Sequence, residues 1–243
     1  MLSKTKGIVL HSVKYGDSSL IVKIFTATHG MKSFMLKGAR RRNSVLKSSL
    51  FIPLTILEMD IASRNESAAF LTMKDARCIY PLHQVHAHTV KQAMAMFVSE
   101  VLYKSVADDY VNPELLNFIE SFLMYLNETE TVPSVLPHYF LIHYSRYLGL
   151  FPNLDGLQAR GRFDMRDGVA ITSDPMHPEV LDVEETALMR NIVNTSLNEL
   201  HLVKAEAGLR TLLLNQLLMY YKIHLLHLRE VKSHAILAEV LRG

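Results

Sequence analysis

The sequence predicts an α+β protein, with a small β domain over residues 1–80 and an all-helical domain over 81–243. Two observations carry this reading. Apolar residues alternate with period two before Pro81 and recur at i, i+3, i+4 after it. Charge changes sign at the same place. Residues 1–80 hold thirteen lysines and arginines against five acidic residues, an excess of +8, and the remainder holds 13 against 19, or −6. The near-neutral total conceals a basic front domain on an acidic body, which is the charge footprint of a nucleic-acid binder.

The β elements follow in order. Lys6 to Tyr15 is rich in Ile and Val and ends at the turn signal Gly16-Asp17-Ser18. Ser19 to Thr26 is the second strand and Thr28-His29-Gly30 its hairpin loop. Met31 to Lys37 is the third, with Lys32, Phe34 and Leu36 on one face and Met31, Ser33, Met35 and Lys37 on the other. Val45 to Phe51 is short and helix-like, closed by Pro53. Thr55 to Ile61 and Ala68 to Ile79 complete the set across the polar turn Ser63-Arg64-Asn65-Glu66. Five strands with a helix between the third and fourth is the order of an OB-fold, a five-stranded β-barrel whose face binds single strands.

The helical part begins with Val90 to Tyr103, whose Val90, Ala93, Met94, Phe97, Val98, Val101 and Leu102 form a buried stripe. Asn112-Pro113-Glu114 joins an N-cap, a proline at the first helical position and an acid at the positive dipole end. It opens a helix to about Leu126. Val135 to Leu148 is the next, stopped by Gly149. Residues 153 to about 182 read as a loop insertion with one hairpin, from Gly161-Arg162-Phe163 and Gly168-Val169-Ala170-Ile171. Asp182-Val183-Glu184-Glu185 resembles a capping box. Ala205 to Leu228 and Ser233 to Leu241 are the last helices.

At 49% apolar and 21% charged residues, the composition is that of a folded globular protein. The lone Cys78 excludes an intramolecular disulfide and a multi-cysteine zinc site, and fits a reducing compartment. No apolar run reaches membrane-spanning length and no signal peptide is recognised, so a cytoplasmic location without membrane association is expected.

The segment Lys37-Gly38-Ala39-Arg40-Arg41-Arg42-Asn43-Ser44 concentrates the basic character. Arginine suits phosphate because its planar fork donates two parallel hydrogen bonds and stays charged. Lys14, Lys23, Lys32, Lys37, Arg40, Arg41, Arg42, Lys47 and Arg77 are the candidate DNA contacts. A solvated surface turn is the other reading of such a run. Tyr15, Phe25, Phe34 and Phe51 lie among these cations, where aromatics either stack on bases or fill the barrel, and the core reading is the favoured one.

Several stretches together resemble the bacterial recombination mediator RecO family. They are Gly7-Ile8-Val9-Leu10-His11-Ser12, Tyr15-Gly16-Asp17-Ser18-Ser19-Leu20-Ile21, Phe25-Thr26-Ala27-Thr28-His29-Gly30, Lys37 to Arg42 and Leu46-Lys47-Ser48-Ser49-Leu50. Leu148-Gly149-Leu150-Phe151-Pro152-Asn153-Leu154 and, more loosely, Lys232-Ser233-His234-Ala235-Ile236-Leu237 extend the likeness to the second half. The resemblance implies an OB-fold followed by a helical domain, binding of single- and double-stranded DNA and strand annealing. It further implies partnership with RecR and the C-terminal tail of single-strand-binding protein (SSB), indirect action on RecA, and association with the nucleoid. Many relatives carry a four-cysteine zinc motif after the Leu-Gly-Leu-Phe-Pro element. Here Asp155 to Asp182 has no cysteine, so no zinc and no cofactor are expected.

Competing functions have less support. His83, His86 and His88 cluster, and His224 and His227 share a helical face, but no HExxH pattern or cysteine completes a metal site. Neither a GxxxxGK[ST] loop nor a GxSxG elbow occurs, so no catalytic residue is assigned and the protein is not expected to be an enzyme. An RNA-binding OB-fold module is the alternative, and a metal-dependent nuclease a third class.

Overall fold

A computed structural model describes residues 2–62, 70–108, 110–158, 160–173, 175–225, 228 and 230–241. The predicted turn Ser63–Glu66, together with His227 and Asp174, lies outside the described residues. The chain divides into two compact units, Met1–Thr129 and Glu130–Gly243.

In the first unit, β1 (Leu2–Tyr15), β2 (Ser19–Thr26), β3 (Gly30–Leu36), β4 (Ile56–Ala62) and β5 (Thr72–Tyr80) form one sheet in the order β3-β2-β1-β4-β5. Its paired neighbours are all antiparallel. β1 is long enough to serve two partners: its first half pairs with β4 and its second with β2. A register shift between Val9 and His11 bends the strand where it changes partner. This is the predicted five-stranded OB-type sheet. Among the described residues, one parallel bridge, Phe34 to Leu71, links β3 to the residue that precedes β5, and there the Leu71 N–H donates to the Ser33 carbonyl at 3.0 Å. Among the described residues the sheet therefore coils toward a barrel without a continuous closing ladder.

The inward face carries Leu20, Val22 and Ile24 of β2, Phe34 and Leu36 of β3, and Leu57, Met59 and Ile61 of β4. The helix-like stretch expected from Val45 condenses to one 3-10 turn, Ser48–Phe51, which plugs this core with Phe51. Three of the four aromatics that sequence left between core and base stacking are thus settled: Phe25, Phe34 and Phe51 are all buried. Tyr15 is not.

The helices α1 (His83–Ala87), α2 (Thr89–Ser105) and α3 (Pro113–Glu128) belong to the same compact unit as the sheet. The secondary structure changes type at Pro81, where the domain change is expected, whereas the compact unit runs on to Thr129 because α2 packs on β1. The Ser99 hydroxyl donates to the Leu10 carbonyl at 2.6 Å, and His11 stacks on Tyr103 with ring centroids 4.5 Å apart. The α3 start is the one read from sequence, with Leu115 N–H donating to Asn112 Oδ1 at 2.9 Å. At its other end, Asn127 Oδ1 accepts the Gln84 N–H at 3.0 Å and so caps α1.

The second unit contains α4 (Leu136–Ser145), α5 (Val183–Val193), α6 (Ala207–His224) and α7 (Ser233–Val240). After α4 a 3-10 turn ends at Gly149, in the left-handed region at φ 73°. The expected hairpin is present as β6 (Arg162–Asp164) and β7 (Val169–Ile171), and β8 (Val180–Leu181) adds a strand too short to signal itself. The capping box on α5 is complete, with Glu185 N–H on Asp182 Oδ1 at 2.7 Å and Asp182 N–H on Glu185 Oε2 at 2.9 Å.

Two imidazoles are taken out of water in this unit. His138 is buried and donates Nε2–H to the Arg210 carbonyl at 2.7 Å. Burial pushes it down to about 4. His143 is also held down to about 4, first by burial and then by the Arg146 guanidinium. A histidine near 6.5 in the unfolded chain takes up a proton that the folded protein refuses until about pH 4. The stability that these neutral rings allow is complete above pH 6.5 and declines as pH falls toward 4. Urea unfolding of the full chain should lose on the order of a few kcal/mol between pH 7 and pH 4.5. His138→Gln should lose less over the same interval, and an equal pH slope in both proteins would exclude His138 as a source.

Candidate nucleic-acid interface

The basic segment forms the connection from β3 to the 3-10 turn, and its conformation is fixed at three places. Gly38 takes a left-handed φ of 70°, which lets the chain reverse, and the Arg41 N–H closes that turn on the Gly38 carbonyl at 2.9 Å. Ala39 is buried in the sheet core, and its carbonyl accepts the Ser48 N–H at 3.0 Å. Arg40 is bound to the β1–β2 turn twice, by its N–H on the Ser18 carbonyl at 3.0 Å and by its guanidinium on the Gly16 carbonyl at 3.3 Å. Leu46 and Leu50 pack against the core at the far end. The loop is an ordered rim made of two connections, with its small residue turned inward and its cations outward.

Lys14, Lys37, Arg40, Arg41, Arg42 and Lys47 are all exposed on this rim or at the strand ends that feed it. Among the described residues none of the six has a carboxylate partner, and residues 18–57 contain no Asp or Glu. Asp17, in the β1–β2 turn, is the one acid of the rim and forms no ion pair with these cations among the described residues, and Arg40 alone has its guanidinium engaged, on the Gly16 carbonyl. This arrangement can hold phosphates by charge-assisted hydrogen bonds.

The other three candidates stand elsewhere. Lys23 lies on the outer face of β2, paired with Asp108 at 2.8 Å and 5.7 Å from the Tyr103 ring centroid. Burial first, and Lys23 second, lower the pKa of the neighbouring His11. Arg77 donates to Glu58 at 2.7 Å, and Lys4 reaches the same carboxylate at 3.0 Å. Those hydrogen bonds hold the Glu58 carboxyl below its ordinary range. Asp60 and Asp75 sit opposite each other on the same two strands, so at this end of the sheet three carboxylates face two cations and no positive charge is left over. Lys6 is likewise bound to Glu120 at 3.1 Å. Lys32 is half-buried opposite Ile24, at the other end of β3 from Lys37. The sequence carried no signal for these pairings, because the partners lie tens of residues apart.

A structural zinc does not fit the insertion. His177 donates Nε2–H to Asp164 Oδ2 at 3.1 Å, while its Nδ1 lies 3.4 Å from Glu179 Oε2. The two carboxylates flank opposite edges of one ring and do not converge on a common point. Arg166 already occupies Glu179 at 2.9 Å. No group of three or more His, Cys, Asp or Glu residues able to hold a metal occurs among the described residues, and this covers His83, His86 and His88. The insertion is held by other contacts. Asp164 Oδ1 accepts the Arg166 and Asp167 N–H groups at 2.8 and 3.2 Å, Phe163 meets the Tyr220 ring edge-on, and His224 donates to the Met165 carbonyl at 2.8 Å.

These features define a class: an OB-type sheet with a cationic rim, followed by a helical domain. Comparison with known proteins gives the family. Residues 1–81 match the family model described as Recombination protein O N terminal, and residues 88–234 match Recombination protein O C terminal. The chain is 32% identical to the DNA repair protein RecO of Phocaeicola vulgatus over 99% of both chains. It is 30% identical to that of Bacteroides fragilis and 29% identical to that of Christiangramia forsetii, again over 99% of both. The chain belongs to the RecO family. No helix among the described residues is long and apolar enough to cross a membrane.

The zinc reading is tested by elemental analysis. Purified protein should carry no stoichiometric zinc, and a chelator should leave its melting temperature unchanged, because removal of a structural zinc would unfold its site. One tightly bound zinc per chain would mean that distant histidines assemble a site.

Proposed function

We propose that this protein is a DNA repair and recombination mediator that holds DNA by its backbone at the cationic rim. Lys14, Lys37, Arg40, Arg41, Arg42 and Lys47 contact phosphates of single- and double-stranded DNA without reading sequence, since phosphate contacts position a strand and base edges specify it. Annealing follows from the same physics: a cationic rim neutralises two strands that otherwise repel and raises their chance of meeting. Working with RecR, the protein helps RecA to replace SSB on single strands. The more acidic helical part receives the protein partners, RecR and the SSB tail. No nucleotide hydrolysis is assigned to the chain. The observation that carries this reading is the set of six exposed cations, free of carboxylate partners, on a loop whose backbone is braced. Membership of the RecO family supports the assignment to DNA repair.

The decisive measurement is the salt dependence of DNA affinity. Combined Arg40→Ala, Arg41→Ala and Arg42→Ala substitution should make the slope of log affinity against log salt shallower by roughly one unit per lost phosphate contact. Annealing of SSB-coated strands should slow with it, and stability should change little, since exposed charges add little to folding. Lys23→Ala and Arg77→Ala should leave the slope near that of the parent protein, because their charges are already matched. An unchanged slope in the folded triple variant would remove the rim from the site, and tighter binding of structured RNA than of DNA would favour the RNA-binding alternative.

A further inference from the structure

The four aromatic residues of the basic sheet part company in the structure. Phe25, Phe34 and Phe51 are at most 1% exposed, whereas Tyr15 is 53% exposed. Tyr15 is the last residue of β1, paired with Ser19 across the turn to β2. Val13, two residues back on the same face, is also exposed, so an apolar strip reaches the turn. Among the described residues, the Tyr15 hydroxyl makes no hydrogen bond and its ring meets no other ring.

The position of this ring is what gives it meaning. Gly16 follows it directly, and the Gly16 carbonyl is the one gripped by the Arg40 guanidinium at 3.3 Å. Two residues further on, the Ser18 carbonyl takes the Arg40 N–H at 3.0 Å. The turn that presents Tyr15 and the loop that presents the arginines are thus bound into one body. An aromatic face stands next to phosphate-binding cations, and little ordering remains to be done when a strand arrives.

We propose that Tyr15 is a base-stacking platform that makes the cationic rim favour unpaired DNA over duplex. This deepens the reading above and rests on it. Cations grip phosphates whether or not the bases are paired. A ring can stack only on a base whose face is free, and every base has such a face, so the contact selects unpaired strands without selecting sequence. A consequence for annealing follows. Once a base pairs and joins the duplex stack, its contact with Tyr15 is lost, and the product is held by phosphates alone. The site weakens its grip when its task is done.

The chain contains no tryptophan, so Tyr15→Trp makes a single reporter in the full-length protein. Its fluorescence should be quenched on adding a single-stranded oligodeoxynucleotide. It should be unaffected by an abasic strand of equal length and charge, or by a duplex with hairpin-capped ends. In parallel, Tyr15→Ala should bind the single strand about ten-fold more weakly, with affinity for the abasic strand and the capped duplex unchanged. Tyr15→Phe should match the parent protein. Tight single-strand binding with no change in tryptophan emission would overturn the proposal, as would a Tyr15→Ala loss of equal size on all three ligands, which would mark a merely structural role. A failure of the interface itself would look different, because the parent protein would then bind none of the three.

Discussion

The brace between the β1–β2 turn and the β3 exit is the constraint on which the rest of the site depends. A run of cations on an unbraced loop would be ordinary surface, spread over many conformations and costly to order against a ligand. Here Ala39 is drawn into the core, and Arg40 spends its own N–H on the Ser18 carbonyl. Ser18 immediately precedes β2, and Ala39 lies three residues after β3, so the hairpin register that aligns Leu20 with Leu36 also sets the distance between turn and loop. The rim inherits its order from the sheet.

The same sheet separates charges that are used internally from those left over. Lys4, Lys6, Lys23 and Arg77 each carry the same unit charge as a rim residue, yet each is held by Glu58, Glu120 or Asp108. Two of those carboxylates lie beyond the strands, Glu120 on α3 and Asp108 between α2 and α3. The helices of the first unit cover part of the sheet and also neutralise its outer cations. A count of basic residues over 1–80 therefore overstates what is available to a ligand.

Much of this architecture was legible in the sequence, for local reasons. β2 can be read to the residue because Gly16-Asp17-Ser18 and Thr28-His29-Gly30 bracket it. The starts of α3 and α5 can be read because Asn112 and Asp182 satisfy backbone donors within three residues of themselves. Elements that depend on distant partners were not legible. β8 is two residues long and exists only because Phe163 and Asp164 pair with it. Among the described residues, the hydrogen bond that begins to close the barrel runs from Leu71 to Ser33, 38 positions apart in the chain. At the site, the cations were legible as a run, whereas the split between rim cations and paired cations was not. Tyr15 was indistinguishable from Phe25 by pattern alone, since both are aromatics within strands and only burial separates them.

The stretch from residue 18 to residue 57, without one carboxylate, has a consequence in time rather than in affinity. A cation with no anion beside it projects its field outward to about a Debye length, roughly 8 Å at physiological salt, whereas a paired cation projects little. On the proposed reading, the rim acts before contact: it governs how often a strand arrives, and salt weakens it by slowing arrival. Tyr15 has no such reach and acts only after contact, on how long an unpaired strand stays. Arrival and departure would then be set by different residues, on the two connections of one braced edge, and could be altered independently.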